Sequence, residues 1–196
     1  MQALHFARDA AVERLMAEHP VLEDVGARFA AAGFEVDLVG GSVRDAILGR
    51  DVVDLDFATD ALPEQMPRLL SGWADAIWDV GARFGTIGAE KDGLRLEFTT
   101  YRSDRYEPDS RKPDVAYGGD LLSDLGRRDF TVNAMALRLP DRAFVDPFDG
   151  LLDLALRRLR TPGAPADSFS DDPLRMLRAA RFASQLEMSV DPEAID

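Results

Sequence analysis

The chain has 196 residues, with 36 Asp and Glu against 23 Lys and Arg, so its formal net charge is −13. It contains two His and no Cys, which excludes disulfides, zinc–thiolate sites and a cysteine nucleophile. Any metal ion must therefore be held by oxygen ligands. The acidic balance argues against a nucleic-acid-binding domain that works through a basic surface. Neither a membrane span nor a signal peptide is evident, so we expect a cytoplasmic protein with no membrane partner.

The first predicted unit is a strand, a glycine turn, a helix and a second strand. Helical spacing in the N-terminal segment ends at Gly33, which predicts a glycine cap. Apolar and acidic residues then alternate over 34–39, which predicts a half-buried strand. A glycine pair follows, and Ser42 is predicted to cap the short helix after it. The next strand is predicted at 53–58.

The second half of the chain predicts more strands, followed by helices. Segments 84–89 and 94–101 are predicted to pair as a hairpin around Asp-Gly. Residues 102–120 are polar and rich in Pro and Gly, which predicts a long, mobile loop. One more strand is predicted at 134–139, and the pattern is helical after Gly150.

Three carboxylates form a candidate metal site. Asp54 and Asp56 lie two apart on a predicted strand, so their side chains share one face. Glu97 lies mid-strand in LRLEFTTYR, and adjacent strands would bring all three together around one or two Mg²⁺ ions. The alternative is that all three are solvent-facing positions of a polar sheet face. Clustered like charges favour the metal, since they cost stability unless a cation lies among them.

A glycine pair forms a candidate phosphate site next to these carboxylates. Gly40 and Gly41 precede the helix that carries Arg44. Two unobstructed backbone amides and a helix N-terminus would then point to where a phosphate could lie.

Several strings between residues 34 and 186 carry a family resemblance. In chain order they are LVGGSVRDAILG, DLDF, EFTTYR, RRDFTVNAMA, DPFDG and DDPLRMLRAARF. Together they resemble the class II CCA-adding tRNA nucleotidyltransferases and bacterial poly(A) polymerases, which belong to the DNA polymerase beta-like nucleotidyltransferases.

The resemblance implies an α+β fold with a mixed, mainly antiparallel sheet flanked by helices and followed by an all-helical neck. We expect N-terminal helices at 1–33, the catalytic head at 34–150 and the start of the neck at 151–196. The family's RNA-holding body and tail would then lie outside this chain, which we expect to be a fragment.

The resemblance also assigns roles to individual residues. Asp54, Asp56 and Glu97 would be catalytic and hold two Mg²⁺ ions. The nucleotide would be bound by a larger set, namely Gly40, Gly41, Arg44, Arg128, Asp129, Asn133, Asp172, Arg175, Arg178 and Arg181. Without the resemblance, residues 127–129 are more typical of an ordinary surface ion-pair cluster than of a nucleotide site, and the later arginines are equally typical of a solvated helix face.

Base recognition is assigned to Asp172 and Arg175, on a helix predicted to open at Ser170 and Pro173. An acceptor beside a planar set of donors matches cytosine or adenine, whereas guanine and uracil would place a carbonyl oxygen against the carboxylate. On a regular helix Arg181 would point nearly opposite to Asp172. The family usually has Glu where this chain has Asp171, so the role of that position is open.

The implied activity is template-independent addition of C and A from CTP and ATP to the 3′ end of tRNA, with release of pyrophosphate. A bacterial poly(A) polymerase shares every quoted string and remains an alternative. Partial enzymes that add only C or only A also remain, and 102–120 is where that difference would lie. A third alternative is a nucleotide-binding head that is inactive without its RNA-binding body.

Overall fold

The computed structural model describes residues 2–81, 85–105 and 114–194, and every structural statement below refers to these ranges. The helices are α1 (Gln2–Glu18), α2 (Val21–Ala31), α3 (Gly41–Ile47), α4 (Met66–Leu70), α5 (Leu121–Gly126), α6 (Gly150–Ala155), α7 (Pro165–Asp171) and α8 (Leu174–Leu186). The strands are β1 (Val36–Val39), β2 (Asp54–Thr59), β3 (Ala76–Gly81), β4 (Thr86–Lys91), β5 (Leu94–Thr100), β6 (Arg102–Arg105), β7 (Asp114–Tyr117), β8 (Ala136–Leu139), β9 (Ala143–Val145), β10 (Arg158–Leu159) and β11 (Ser189–Val190). Short 3₁₀ turns lie at Thr131–Asn133 and Pro192–Ala194.

A seven-stranded sheet in the order β3-β4-β5-β2-β1-β8-β9 forms the centre of the fold. Every neighbouring pair is antiparallel except β2 and β5, which run parallel. This confirms the expected mixed, mainly antiparallel sheet with flanking helices. The parallel pair lies at the middle of the sheet and brings the two predicted carboxylate strands side by side.

The hairpin between β4 and β5 is confirmed. Lys91 pairs with Leu94, and the two turn residues, Asp92 and Gly93, have φ of 52° and 77°. Two consecutive positive φ values are the requirement of the tight turn that matches strand twist, which is why Asp-Gly is a strong hairpin signal. The first position of the predicted strand, residue 84, lies outside the described residues.

The prediction of a half-buried strand at 34–39 is wrong on one point, because β1 is buried on both faces. Asp37 is fully buried, and it accepts hydrogen bonds from the hydroxyl of Tyr101 and from Nε of Arg138, the latter at 3.1 Å. Burial, and then the Asp37 charge, raise the pKa of Tyr101 above its usual range. An acidic residue that looks solvent-facing in the sequence is therefore a satisfied core residue.

Helix α2 covers one face of the sheet through a stack of aromatic rings. The Phe98 ring centroid lies 5.4 Å from that of Phe29 on α2 and 4.7 Å from that of Phe57 on β2. All three side chains are buried, so this stack joins helix, β2 and β5 into one core.

The segment predicted as one long loop contains two paired strands. Arg102 pairs with Tyr117 and Arg105 with Asp114 in an antiparallel ribbon of β6 and β7. Residues 106–113, where the loop was expected to be mobile, lie outside the described residues.

The C-terminal region is not all-helical. A short parallel ladder of β10 and β11 lies within it, and two helices, α7 and α8, replace the single predicted one. The helices break at Asp172 and Pro173, since Pro disfavours helical geometry in the residue before it. Within the described ranges, no helix combines the length and apolar character needed to cross a membrane.

Candidate functional site

A cleft of about 620 Å³ lies between the carboxylate strands, α3 and α8. All the residues predicted to form the site line this cleft except Asp54. The lining members of the predicted set are Gly40, Gly41, Arg44, Asp56, Glu97, Arg128, Asp129, Asn133, Asp172, Arg175, Arg178 and Arg181. The fold thus brings together residues that are more than a hundred positions apart in the sequence.

The carboxylates lie on the parallel pair of strands. Asp56 is in register with Glu97, and Asp54 is opposite Arg95 and exposed at the start of β2. Burial raises the pKa of the Asp56 carboxyl, and the Glu97 charge adds to that effect more than Arg128 offsets it. Burial and the neighbouring Glu97 charge therefore both disfavour the ionised form of Asp56.

Oxygen ligands in this position suit a hard divalent cation such as Mg²⁺, and a cation would relieve the repulsion that Asp56 experiences. In the described part of the chain, no three acidic or histidine side chains are already grouped tightly enough to hold a metal ion. At this site Glu97 is already in an ion pair, since Arg95 Nη2 lies 2.8 Å from Glu97 Oε1. The donor set fits the ion, provided that the exposed Arg95 gives up Glu97 when the cation binds.

Ser42 fastens the glycine turn to the carboxylate strand. Its hydroxyl donates to the Asp54 carbonyl at 3.0 Å and accepts from the Asp56 amide at 3.2 Å. The prediction that Ser42 caps α3 is wrong, since Gly40 is the N-cap residue and no side-chain cap bond forms. The Ser42 hydroxyl instead sets the distance between α3 and β2.

The expectation of two free glycine amides is also corrected. The Gly40 amide donates to the Met135 carbonyl at 3.2 Å, which leaves Gly41 as the first residue of α3. Gly40 has φ 69° and ψ −126°, a conformation that side chains oppose. A Cβ there would lie 2.8 Å from Arg128 Nη1, so the missing side chain is what lets this guanidinium approach the turn.

A chain of hydrogen bonds runs from α3 to α8 along the floor of the cleft. Arg44 Nη1 donates to Asn133 Oδ1 at 2.5 Å, and Asn133 Nδ2 donates to Asp129 Oδ1 at 2.9 Å. Asp129 Oδ2 then accepts from Arg178 Nε at 2.7 Å. Arg44 also donates to both carboxylate oxygens of Asp45. These polar side chains fix each other's orientation. The hydrogen bonds therefore link the end of the cleft predicted to bind the phosphates to the end predicted to bind the base.

Asp124 is a site residue that the sequence reasoning missed. It is 1 % exposed, and its oxygens lie 2.9 Å from Arg128 Nη2 and 3.2 Å from Arg127 Nη2. Burial alone would raise the pKa of the Asp124 carboxyl, but Arg128 and then Arg127 outweigh it and hold the pKa below its usual value. The spacing of three and four residues to these arginines is a helical signal that could have identified it.

Phe182 is the second missed residue, and it forms an aromatic platform inside the cleft. The guanidinium carbons of Arg44, Arg178 and Arg181 lie 5.3, 5.8 and 4.7 Å from its ring centroid. Its ring also meets Phe130 edge to face at 5.9 Å. Arg181 therefore reaches the cleft by stacking, although helical spacing placed it on the far side from Asp172.

Asp172 lies between two helices and not on one. Its Oδ1 accepts from the Leu174 amide at 3.0 Å. Pro173 is the N-cap residue of α8, as predicted, but Ser170 lies within α7, so the prediction that Ser170 also opens this helix is wrong. Arg175 lies in the first turn of α8 and donates outside that helix, to the Ser168 hydroxyl and the Arg127 carbonyl. Asp171 lines a neighbouring cavity and not the cleft.

The sequence matches the family model described as Poly A polymerase head domain over residues 36–160. The chain belongs to this family. It is 42 % identical over 185 residues to the CCA-adding enzyme of Levilactobacillus brevis, covering 94 % of this chain and 45 % of that protein. It is 45 % identical over 163 residues to that of Lacticaseibacillus paracasei, covering 83 % of this chain and 40 % of that one. The chain thus spans less than half the length of these relatives.

Solved structures of the same family share the fold. The CCA-adding enzyme of Bacillus stearothermophilus in complex with CTP superposes with a TM-score of 0.76 at 35 % identity, over 87 % of this chain and 40 % of that one. A tRNA nucleotidyltransferase complexed with a primer tRNA and an incoming ATP analog gives 0.72 at 34 % identity, over 87 % and 47 % of the two chains. The family and the head fold expected from the sequence strings are confirmed.

Proposed function

We propose that this chain is the catalytic head and first neck segment of a template-independent RNA nucleotidyltransferase that adds C and A to the 3′ end of tRNA. One observation carries the proposal: a single cleft combines Asp56 and Glu97 on adjacent strands, the glycine turn with Arg44, and the arginines of α8. Its relatives named CCA-adding enzymes support CCA addition as the specific activity.

In this proposal Asp54, Asp56 and Glu97 hold two Mg²⁺ ions. When bound, Mg²⁺ neutralises charge on the triphosphate and lowers the pKa of a hydroxyl nucleophile. The tRNA 3′-hydroxyl gives up its proton to water and its oxygen forms a bond to the α-phosphorus of CTP or ATP. The bond from that phosphorus to the bridging oxygen of the β-phosphate breaks, and pyrophosphate leaves with the bridging oxygen. Little covalent chemistry falls to the protein, so its contribution is positioning and charge stabilisation.

The remaining cleft residues position the nucleotide. Gly41 and Arg44 face the triphosphate, and Arg128 adds a cation that Asp124 keeps close to Gly40. The hydrogen bonds of Asp129 and Asn133 hold that end of the cleft in a fixed relation to α8. These contacts use binding energy to orient the nucleotide. No side chain is assigned as the acceptor of the hydroxyl proton.

Base choice is assigned to Asp172 and Arg175 at the other end of the cleft. Asp172 offers a carboxylate to the amino group shared by cytosine and adenine, and Arg175 offers N–H donors to the ring acceptors beside it. A carbonyl oxygen of uracil or guanine would face the carboxylate and leave it unpaired. Selection of C and A therefore needs no nucleic-acid template.

The RNA grip is expected from parts of the protein beyond this acidic chain. A net charge of −13 disfavours binding of an RNA backbone through the head surface. The relatives are more than twice as long as the matched region, which supports a body and tail as the tRNA-holding part. The substrates, tRNA and nucleoside triphosphates, support a cytoplasmic location.

A gel assay tests the proposal. Purified protein is incubated with Mg²⁺ and tRNA that lacks its 3′ end, with CTP and ATP supplied separately and together. We expect CTP-dependent extension followed by one A, and no extension by Asp56→Ala. Asp51→Ala is the matched control, because Asp51 is exposed three residues before β2. Extension by pure Asp56→Ala at the control's rate would contradict the proposal.

Two alternatives have their own signatures in that assay. The family description supports a poly(A) polymerase, which would give long A runs from ATP alone. An isolated head that binds nucleotide without turnover would bind CTP in calorimetry and extend nothing, which is consistent with its spanning less than half of its relatives.

A further inference from the structure

The Arg175 side chain lies between two cavities and lines both of them. It lines the nucleotide cleft on one side and a neighbouring cavity of about 360 Å³ on the other. A long arginine side chain with space on both sides has many accessible rotamers. Its direction must therefore be set by specific contacts.

Those contacts come from outside its own helix. Arg175 Nη1 donates to the Ser168 hydroxyl at 2.7 Å, and Nη2 donates to the Arg127 carbonyl at 2.6 Å. Ser168 is on α7 and only 7 % exposed. Because the guanidinium is planar, two bonds to two of its nitrogens fix its plane as well as its position. A guanidinium has five N–H donors, so donors remain for a base.

We propose that Ser168 is a positioning residue for base selection, acting by holding Arg175 in one orientation. This rests on the proposed function, in which Arg175 reads the base. Ser168 lines the neighbouring cavity and not the cleft, so it acts through Arg175. With only its bond to the Arg127 carbonyl, the Arg175 guanidinium would rotate about that bond, and the neighbouring cavity would give it the space to do so.

Fixed orientation matters because arginine donors are not selective by themselves. Cytosine presents a ring acceptor where uracil presents an N–H donor, and uracil presents a carbonyl oxygen that a displaced guanidinium could satisfy. Discrimination between cytosine and uracil therefore depends on arginine donors that are held in place and cannot move to bond the uracil oxygen. Loss of the Ser168 hydroxyl removes no charge, so it should alter base choice more than triphosphate affinity.

The test measures CTP and UTP affinities by titration calorimetry with Mg²⁺ on the full 196-residue chain. Wild type should bind CTP more tightly than UTP. Ser168→Ala should reduce that ratio about tenfold, the scale of one charge-assisted hydrogen bond. Ser168→Thr should retain the ratio, since it keeps the hydroxyl, and Ser170→Ala should retain it as the exposed control on the same helix.

Two results would overturn this inference and leave the proposed function standing. A wild-type ratio in Ser168→Ala would show that Arg127 alone suffices, and tighter CTP binding with undiminished selectivity would show that Ser168 withholds Arg175 from the base. A thermal unfolding midpoint equal to that of Ser170→Ala verifies that Ser168→Ala is folded. If the wild-type chain itself does not bind CTP more tightly than UTP, base selection by Arg175 is refuted, and the positioning role of Ser168 is refuted with it.

Discussion

Replacing Gly40 by alanine should weaken nucleotide binding and leave a folded protein. At φ 69° and ψ −126° a side chain costs about 1–3 kcal/mol in the folded state. The new Cβ would lie 2.8 Å from Arg128 Nη1, well inside the 3.4 Å of ordinary contact. The guanidinium is the end of a flexible side chain, so it should retreat and strain its 2.9 Å bond to Asp124.

The matched control is Gly72→Ala. Gly72 has φ 73°, and nothing lies within 4 Å of a Cβ built there, so it should incur backbone strain without a clash. Both variants should lower the thermal midpoint by about 2–4 °C per kcal/mol. Titration calorimetry should show a CTP dissociation constant raised about tenfold or more for Gly40→Ala only, because the displaced Arg128 guanidinium is lost as a charged donor to the nucleotide. Equal CTP affinity in the two variants would refute the claim that position 40 must lack a side chain so that the Arg128 guanidinium can approach the glycine turn.

Two further perturbations follow from the charges and the aromatic platform. Without divalent cations, Asp56→Asn should be more stable to urea than wild type at neutral pH, since burial and Glu97 raise the folded-state pKa of Asp56. The ionised form therefore penalises folding above the ordinary pKa of 3.8, and the difference should vanish as the pH falls to that value; a constant difference would contradict this. Phe182→Leu should lower the free energy of unfolding by about 2 kcal/mol through lost arginine and aromatic contacts, and unchanged urea unfolding would refute that role.

Local patterns predicted the elements whose signals are short-range. The Asp-Gly turn of the β4–β5 hairpin and the shared face of Asp54 and Asp56 depend only on neighbouring residues, and both were predictable. The pairing of β2 with β5 was only a condition of the metal hypothesis, because register between distant strands leaves no local trace. That pairing is what places Asp56 beside Glu97.

The errors arose where tertiary contacts override local preference. Asp37 alternates with apolar residues as a solvent-facing position would, yet partners from β8 and the end of β5 make its burial tolerable. The Gly40 amide looked free because its acceptor, the Met135 carbonyl, is far away in the sequence. Asp172 fits a helical series with the following arginines, but Pro173 separates it from α8.

Part of the site was accessible only through the family resemblance. Physical reasoning reached the carboxylates and the glycine turn. By contrast, Arg128 and Asp129 were more typical of a surface ion-pair cluster, and the later arginines were equally typical of a solvated helix face. Their roles become distinct through burial and mutual contacts, such as the pair between Asp129 and Arg178 at 2.6 Å. Such contacts between residues about fifty positions apart cannot be read from spacing.

The most direct test of the central claim is binding of the four nucleoside triphosphates to this chain with and without Mg²⁺. Titration calorimetry measures this without tRNA and without any other part of the protein. We predict Mg²⁺-dependent binding of CTP and ATP, weaker binding of UTP and GTP, and loss of binding in Asp56→Ala but not in Asp51→Ala. Binding of all four with equal affinity, or CTP binding by Asp56→Ala equal to that of Asp51→Ala, would contradict it.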